Sequence, residues 1–248
     1  MSYYGNFAAF YDAFTDDVDR TSMAAFIAEK LKQNGISGGI LLDAGCGTGG
    51  LSVLCAQMGF DVIGTDISPE MLQKARERAQ QAGVQLLLLN QPLEELDLYG
   101  TVRAAICTLD TVNHLTGEQS LRQAFARIGL FLEPGGVFLF DCNTYYKHSQ
   151  VLGDNAYIYD LGDTYCGWQN TFYPEDNTTD VDLTFFDRQG GSFARYDESF
   201  TQYYFTPQQL ESALAAAGMR VLQVCGGYRD QPLQKDSQRA VYIASKER

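Results

Sequence analysis

Short apolar runs alternate with segments of helical periodicity from about residue 21 to residue 141. The apolar runs lie at 39–44, 61–66, 84–89, 102–108 and 136–141. Strands that are apolar along their whole length, with helices between them, are typical of a parallel sheet that is covered on both faces. The pattern therefore predicts an α/β fold.

Helix ends are marked at three places in the sequence. One helix starts behind Ser68, an N-cap residue followed by proline, and ends at Gly83. Thr116 and Gln119 stand at the spacing of a capping box and predict the start of a second helix. A third helix is predicted over 206–218, where Thr-Pro opens the segment and glycine closes it.

The pattern changes after residue 141. Between 154 and 205 the chain is rich in Tyr, Phe, Thr and Asp, and stretches of period-two alternation predict antiparallel strands. Two further strands are predicted at 220–227 and 239–245. They lie on either side of a polar segment, 227–238, that we expect to be a mobile loop.

The size of the chain limits the number of domains. A chain of 248 residues, of which 45% are hydrophobic, can bury one large core. We therefore expect a single domain over 1–248. Its core would comprise 37–145 and 206–248, with a helical cap at 1–36 and an antiparallel β insertion, in the position of a lid, at 146–205.

Charge and cysteine content narrow the possible partners. A formal net charge of −13 and a pI near 4.5 oppose contact with phosphate backbones and anionic lipids. The start of the chain, MSYYGNFAAFYDAF, has no basic leader region and no apolar stretch approaching about 20 residues. We expect a soluble, cytoplasmic protein that binds neither nucleic acid nor membrane. The spacing of the cysteines predicts no metal site and no disulfide.

A glycine-rich turn carries the first chemical signal. In LLDAGCGTGGLS, residues 41–52, an apolar strand ends with Asp43 and continues through four glycines into a helix. Without side chains in the turn, backbone N–H groups and the positive end of the helix dipole can approach a ligand closely. Asp66 lies 21 residues beyond Gly45, where an acid that binds ribose is expected. The spacing alone also satisfies the dinucleotide pattern.

Asp43 distinguishes between the possible ligands. A carboxylate at the end of the strand repels a pyrophosphate bound over the turn, whereas it attracts an ammonium or a sulfonium group. The sequence therefore favours a cationic ligand.

The motif LLDAGCGTG resembles the first motif of the class I S-adenosylmethionine-dependent methyltransferases, LDxGCGTG. The resemblance includes VIGTDIS, LEPGGVFLFD and YFTPQQLESALAAAGMRV, so it covers most of the chain. It implies a Rossmann-like seven-stranded sheet with helices on both faces, a reversed final hairpin, and S-adenosyl-L-methionine as the cofactor. FYDAF and the aromatic insertion after strand five look most like small-molecule methyltransferases, including amino-sugar N-methyltransferases and uncharacterised bacterial relatives.

The resemblance also implies which residues bind the cofactor. Asp43, Gly45, Cys46 and Gly47 would hold its methionine moiety, and Asp66 would bind the ribose hydroxyls.

The adenine end is implied in the same way. Ile67 and Met71 would flank the ring. Many family members have an acid after strand three that accepts from the adenine amino group, but this chain has Asn90 and Gln91 there. A glutamine carbonyl can accept the same bond, although more weakly because it carries no charge.

The segment CTLDTVNHL follows strand four at the carboxyl edge of the sheet, where ligands of such folds bind. Leu109 and Asp110 would lie near the cofactor, with Asp110 as an anchor rather than a base. Asn113 and His114 would lie near the methyl acceptor. Methyl transfer is an in-line displacement that depends mainly on positioning, and a base is needed only if the acceptor arrives protonated. His114 has two interpretations. It is either that base or a contact to the methyl acceptor, or it only starts a helix.

Tyr11 has two interpretations. Its ring or phenol oxygen would favour a sulfonium group above it, and the resemblance supports this catalytic and cofactor-binding role. Spacing alone favours Phe7, Phe10, Tyr11 and Phe14 as the apolar face of one short helix.

The insertion carries most of the negative charge. Residues 154–205 contain ten acids against two arginines. On the strand that starts at residue 195, Glu198 shares a face with aromatic residues, and Asp197 points the other way. An acid among aromatic rings suits a protonated amine, and an acidic solvated face is the alternative. Trp168 is either a pocket wall or a contact between two copies, and we expect a monomer or a homodimer.

Three functions compete at this point. The first is a small-molecule methyltransferase with an N or O acceptor, the amine being preferred because of the acidic insertion. The second is a nicotinamide-dependent oxidoreductase that uses the same glycines; it leaves Asp43 unexplained. The third is a non-catalytic cofactor-binding scaffold.

Overall fold

The computed structural model describes residues 11, 12, 14, 15 and 17–247. Phe7 and Phe10, which belong to the predicted apolar face of the N-terminal helix, lie outside the described residues. The helices are α1 (Arg20–Gln33), α2 (Gly50–Gln57), α3 (Pro69–Ala82), α4 (Glu118–Phe131) and α5 (Pro207–Ala216). No helix in the described part of the chain is long and apolar enough to cross a membrane.

The strands form two sheets. In the described part of the chain they are β1 (Gly39–Ala44), β2 (Phe60–Asp66), β3 (Leu87–Asn90), β4 (Val102–Cys107), β5 (Leu132–Asn143), β6 (Ala156–Asp160), β7 (Thr164–Tyr173), β8 (Thr178–Gln189), β9 (Ser192–Tyr203), β10 (Met219–Gly226) and β11 (Arg239–Lys246).

The larger sheet has seven strands in the order β10-β11-β5-β4-β1-β2-β3. Strands β3, β2, β1, β4 and β5 are parallel, whereas β11 runs antiparallel to both β5 and β10. This topology confirms the Rossmann-like sheet with a reversed final hairpin. The chain order reverses between β1 and β4, and ligands of such sheets bind in the crevice at the carboxyl ends of the strands flanking that point.

The smaller sheet is antiparallel, with four strands in the order β6-β7-β8-β9. It follows β5 in the chain, which confirms the antiparallel insertion expected after strand five. Alternate residues along β7 and β8 are buried, as period-two alternation predicts for a sheet with one covered face.

Apolar residues fill both faces of the larger sheet. Phe125 of α4 packs edge-on against Phe138 and Phe140 on one face. Ile27 of α1 lies in a second cluster on the other face. A third cluster joins Met71, at the start of α3, to buried residues of β7 and β8. This last contact holds the smaller sheet over the ligand-binding edge of the larger one.

Two helix starts confirm the sequence signals. The Ser68 hydroxyl accepts from the Met71 N–H at 3.2 Å, and proline occupies the first turn of α3. Thr206 and Gln209 form a reciprocal capping box at the start of α5. Gly83, at φ 68°, ends α3 as expected.

The predicted capping box at Thr116 is wrong. Helix α4 starts one residue later, with Gly117 as the N-cap at φ 95° and no side-chain cap bond. In that register Gln119 occupies the second helical position, from which it cannot complete the box.

Two other expectations need correction. The third strand starts at Leu87 rather than at residue 84, because the Val84 N–H donates to the Ala79 carbonyl at 3.1 Å and so completes the end of α3. The polar segment 227–238, expected to be mobile, is anchored: the Tyr228 hydroxyl donates to Asp141. Asp230 of the same segment pairs with the buried Lys30 at 2.9 Å.

Candidate active site

The glycine-rich turn leaves β1 at the point where the strand order reverses. Gly45 and Gly47 adopt φ values of 76° and 54°, which favour glycine. A Cβ on Gly45 would lie 2.3 Å from Thr111, whereas one on Gly47 would meet nothing within 4 Å. The turn is thus closed on its protein side and open on its ligand side. The N–H groups of Gly45 and Cys46 both donate to the Thr65 carbonyl at 2.8 Å, which fixes the turn on β2.

Asp43 lies on β1, two residues before Gly45 of this turn. It is 1% exposed, and the Ser52 hydroxyl donates to one of its carboxylate oxygens. The other oxygen, Oδ1, has no hydrogen-bond partner among the described residues. Asp43 also lines a small cavity with Gly45 and Gly47. A buried carboxylate oxygen of this kind requires a donor, and a cationic ligand group in the cavity would supply one.

The protonation of Asp43 depends on this environment. Burial raises its pKa to about 6, against the opposing bond from Ser52, and the negative charge of Asp66 adds to the rise. A positive charge in the cavity would lower the pKa again, so that occupation of the site and ionisation of Asp43 are linked.

Asp66 ends β2 beside the glycine turn. Its carboxylate accepts from the N–H of Gly47 at 2.8 Å and from the N–H of Ser68 at 2.9 Å. Burial raises its pKa, and these backbone bonds oppose the rise. Each carboxylate oxygen has two acceptor positions, so a ligand hydroxyl can still bind. Asp66 therefore shapes the turn and keeps acceptor positions for a further donor.

The residues predicted for the adenine end have different surroundings. Ile67 is 54% exposed, and Met71 is 4% exposed beneath the smaller sheet. The Asn90 amide donates to the carbonyls of Asp66 and Ile67, both at 2.9 Å. The Gln91 amide exchanges two hydrogen bonds with the backbone of Asp97, at 2.9 and 3.2 Å. Asn90 thus supports the end of β2, and Gln91 fixes its own loop.

The described N-terminal residues cover the turn. Tyr11 and Arg20 line the same cavity as Asp43. Asp12 accepts from the Thr48 hydroxyl at 2.7 Å and pairs with Arg78 at 2.5 Å, which ties this segment to the turn and to α3. Burial raises the pKa of Tyr11, so its phenol stays neutral. Sequence reasoning missed Arg20, a cation that lines the cavity.

The loop after β4 is held in an unusual conformation. Leu109 and Asp110 both have positive φ, 55° and 58°, although neither is glycine. The Asp141 carboxylate accepts from both of their N–H groups, at 2.7 and 2.8 Å. Such backbone strain costs of order 1 to 3 kcal/mol per residue and persists only where the surrounding structure holds it. Asp141, which is 0% exposed, supplies that hold.

Asp110 belongs to a buried ionic network. Arg239 pairs with Asp110 at 3.0 Å and also with Asp141. Gln202 of the smaller sheet donates to Asp110 at 2.7 Å. Burial alone would raise the pKa of Asp110, but Arg239 and the nearby Lys147 outweigh it and lower the pKa to about 2. An acid this strong is a poor proton acceptor, so Asp110 is better suited to an anchoring role than to that of a base.

His114 and Asn113 follow Asp110 in a single helical turn, Thr111–His114. The His114 ring lies 5.1 Å from the ring of Phe200, and burial lowers its pKa, so the imidazole is neutral at pH 7. Asn113 is 0% exposed, and its amide bonds the backbones of Tyr203 and Asn143, both at 2.8 Å. Asn113 therefore joins the two sheets through backbone bonds.

The inner face of the smaller sheet carries two predicted substrate residues in one row. Leu183 of β8 pairs with Trp168 on one side and with Glu198 on the other. Neighbours on the same strands face outward: Asp197 is exposed and pairs with Arg195 at 2.7 Å. Glu198 therefore shares the inner face with the aromatic residues, as the alternation of β9 predicts.

That row lies between two covered rows. On one side Phe14 packs against Phe185, with ring centroids 5.6 Å apart. On the other side His114 packs against Phe200. We call the part of the inner face between these two covers, which carries Trp168 and Glu198, the acceptor chamber, after the substrate role that the sequence predicts for these two residues.

Sequence reasoning missed Asp141, Gln202 and Arg239. Asp141 had a usable signal, because it ends the apolar run GVFLFD just as Asp43 and Asp66 end theirs. Gln202 and Arg239 carry no comparable signal, since their partner Asp110 lies 92 and 129 residues away in the chain.

The arrangement fits a nucleoside with a cationic amino-acid tail. The open side of the glycine turn would give such a ligand room, and the partnerless oxygen of Asp43 would accept from its cationic group. The positive end of α2 favours negative charge at the turn, which suits the carboxylate of the tail.

Comparisons with known proteins agree with this assignment. The model of a family described as "Methyltransferase domain" matches residues 41–136. A putative methyltransferase of Geobacillus sp. (strain WCH70) is 32% identical over 98% of this chain and 99% of its own. A glycine/sarcosine N-methyltransferase of Halorhodospira halochloris is 33% identical over 67% of this chain and 62% of its own.

A solved structure matches almost the whole chain. The crystal structure of an S-adenosylmethionine-dependent methyltransferase from Clostridium acetobutylicum ATCC 824 has a TM-score of 0.90 and 30% identity, and covers 99% of both chains. These findings overturn the nicotinamide-dependent alternative and the non-catalytic scaffold. The cofactor is S-adenosyl-L-methionine, and the chain belongs to the class I S-adenosylmethionine-dependent methyltransferases.

Proposed function

We propose that the enzyme transfers the methyl group to an amine nitrogen of a small molecule. The observation that carries this proposal is the position of Glu198 on the inner face of the smaller sheet, in one row with Trp168. A carboxylate and an indole on either side of Leu183 would favour a protonated amine between them by charge and by cation–π attraction. The name of the Halorhodospira relative, an N-methyltransferase of glycine and sarcosine, supports the same acceptor atom.

The transfer needs few chemical groups from the chain. When bound, the cofactor would supply an electrophilic methyl group on its sulfonium sulfur; the amine lone pair would form the new C–N bond as the C–S bond breaks, with that electron pair left on sulfur. Tyr11 and Asp110 would orient the reactants, since catalysis of such a displacement depends on alignment at about 3 to 3.5 Å.

We assign His114 as the base that removes the amine proton. Burial lowers its pKa, so the imidazole is neutral and can accept a proton at pH 7. The carboxylate of Asp110, ionised beside it, stabilises the imidazolium that forms.

A panel of acceptors tests the function. The enzyme with labelled S-adenosylmethionine should methylate small primary and secondary amines and leave phenols and alcohols of similar size unmodified. Mass spectrometry of the products identifies the modified atom. Transfer to oxygen acceptors alone would contradict the proposal.

Cofactor affinity should depend on the ionisation of Asp43. Because its pKa in the free protein is about 6, only about a tenth of the molecules carry the carboxylate at pH 5, and the Kd for S-adenosylmethionine should be about tenfold higher there than at pH 7.5. The sign is fixed by linkage: a proton bound to the free protein must leave before the cationic tail binds.

Isothermal titration calorimetry at both pH values measures this dependence. In Asp43→Asn the affinity should be lower at pH 7.5 and nearly independent of pH. An equally strong pH dependence in that variant would assign the titration to another group.

Glu198→Gln should raise the KM of an amine acceptor about tenfold with little change in the Kd of the cofactor, because a charge-assisted contact becomes a neutral one. Asp197→Asn is the matched control, since it removes the same charge from the opposite face of β9. Steady-state kinetics on both variants provide the measurement, and equal KM values in the two variants would exclude Glu198 from the acceptor site.

A further inference from the structure

A π-helical turn, Lys147–Leu152, follows β5 at the ligand-binding edge. The Gly153 N–H donates to the His148 carbonyl at 2.7 Å, which closes the wide turn. Turns of this type are rare and occur frequently at functional sites. This one brings two ionisable side chains, Lys147 and His148, to the end of β5 that also carries Asp141. Neither has a role in the mechanism above.

His148 fixes the turn on the smaller sheet. It is 0% exposed, its Nδ1 lies 2.8 Å from the Thr179 hydroxyl, and its Nε2 has no partner among the described residues. Burial lowers its pKa to about 4, so the ring is neutral. Thr179 pairs across the sheet with Gln202, the residue that bonds Asp110. The π-turn is therefore docked beside the Asp110 end of the acceptor chamber.

Lys147 projects from the same turn and is half-buried. Its ammonium makes no hydrogen bond and no ion pair within 4 Å to any described residue, and its backbone N–H donates to the Thr144 hydroxyl at 3.2 Å. Burial lowers its pKa, and the charges of Asp110 and Asp17 oppose that shift. A half-buried cation without a ligating anion is unfavourable unless a partner arrives.

The buried carboxylates near Lys147 already bind other residues. Asp110 binds Arg239 and Gln202, and Asp141 binds Arg239, the Tyr228 hydroxyl and two backbone N–H groups. Asp17, which acts on Lys147 from the N-terminal segment, is exposed to solvent. Lys147 is thus within electrostatic reach of Asp110, Asp141 and Asp17, with Arg239 as the opposing charge, beside the Asp110 end of the acceptor chamber.

We infer that Lys147 binds an anionic group of the methyl acceptor, a carboxylate or a phosphate, while the amine of the same molecule lies toward Glu198. The acceptor class is therefore a small amine that carries its own negative charge. This inference rests on the proposed amine acceptor and adds to it a second point of recognition.

Kinetics with paired acceptors test the inference. The full-length enzyme is assayed with sarcosine and phosphoethanolamine, which carry a carboxylate and a phosphate, and with N-methylethylamine and propylamine, which are uncharged apart from the amine. The wild-type KM should be at least tenfold lower for one of the anionic acceptors than for its uncharged partner. Whichever anionic acceptor is preferred identifies the anion.

Substitution of Lys147 completes the test. Lys147→Met should raise the KM of the anionic acceptor at least tenfold and leave unchanged the KM of the uncharged amines and the Kd of S-adenosylhomocysteine. Lys147→Arg should restore part of the lost preference for the anionic acceptor. Lys32→Met, at the exposed far end of α1, is the matched control for loss of charge. An unchanged preference in Lys147→Met, or no preference in the wild type, overturns the inference.

Binding without turnover separates this inference from the proposed function. Calorimetry of the protein loaded with S-adenosylhomocysteine should detect one of the two anionic acceptors, and Lys147→Met should weaken that binding. Absence of binding by both also overturns the inference. If the enzyme methylates only uncharged amines, the inference about Lys147 is wrong, whereas the proposed amine methyltransferase function is supported. If Lys147 only balanced the charge of the Asp110 network, the variant would lower the unfolding midpoint and leave acceptor binding unchanged.

Discussion

Asp141→Asn is expected to lower the free energy of unfolding by about 3 to 5 kcal/mol, the usual cost of removing one member of a buried ion pair. Four donors meet this carboxylate: two backbone N–H groups, the Tyr228 hydroxyl and the Arg239 guanidinium. An amide has one acceptor oxygen, so its NH₂ group would face donors. Arg239 would lose the negative charge of one of its two carboxylate partners. The positive-φ conformation of Leu109 and Asp110 would lose its support as well.

Urea denaturation followed by circular dichroism measures this loss. Asp197→Asn is the control, because Asp197 also pairs with an arginine but both partners are exposed, at 56% and 60%, and its stability should be nearly unchanged. Equal stabilities of the two variants would contradict the assignment of Asp141 as the residue that holds the loop after β4.

Asp66→Asn is expected to weaken binding of S-adenosylhomocysteine by about 1.5 to 3 kcal/mol, or roughly 10- to 150-fold in Kd. Two effects add. The charge-assisted bonds proposed for the ribose hydroxyls become neutral, and the amide NH₂ group opposes one of the two backbone N–H groups, of Gly47 or Ser68, that now donate to the carboxylate. The glycine turn therefore loses part of its preorganised shape.

Calorimetry with S-adenosylhomocysteine is the suitable measurement, because this ligand lacks the sulfonium charge and so separates Asp66 from the electrostatics of the sulfur. Asp61→Asn serves as the control at the exposed start of the same strand. An affinity equal to that of the wild type would remove Asp66 from the cofactor site.

Local patterns predicted the elements whose stability is local. The start of α3 at Ser68 and the capping box of α5 follow from side chains within three residues of the bonds they make. The same reasoning failed at Thr116 because Gly117, with access to positive φ, offered a competing start. The glycine moved the start of α4 by one residue and left the fold unchanged.

The candidate site was predictable only on its cofactor side. Asp43, Asp66 and the glycines lie at the ends of adjacent parallel strands, and the strand pattern alone brings those ends together. The opposite wall is assembled from β5, β9 and β11, whose polar residues lie far apart in the chain. For this reason Gln202 and Arg239 went unnoticed, although they decide the ionisation of Asp110.

The sequence by itself determined the α/β class, the acid-ended strands around the glycine turn and the acidic, aromatic character of the insertion. These properties reside in periodicity, backbone freedom and side-chain type. Only the tertiary structure decided which carboxylates remain charged and which side chains meet in the acceptor chamber. Protonation and contact depend on desolvation and on long-range charge pairs, which exist only after β9 and β11 have been brought to the edge where β4 and β5 end.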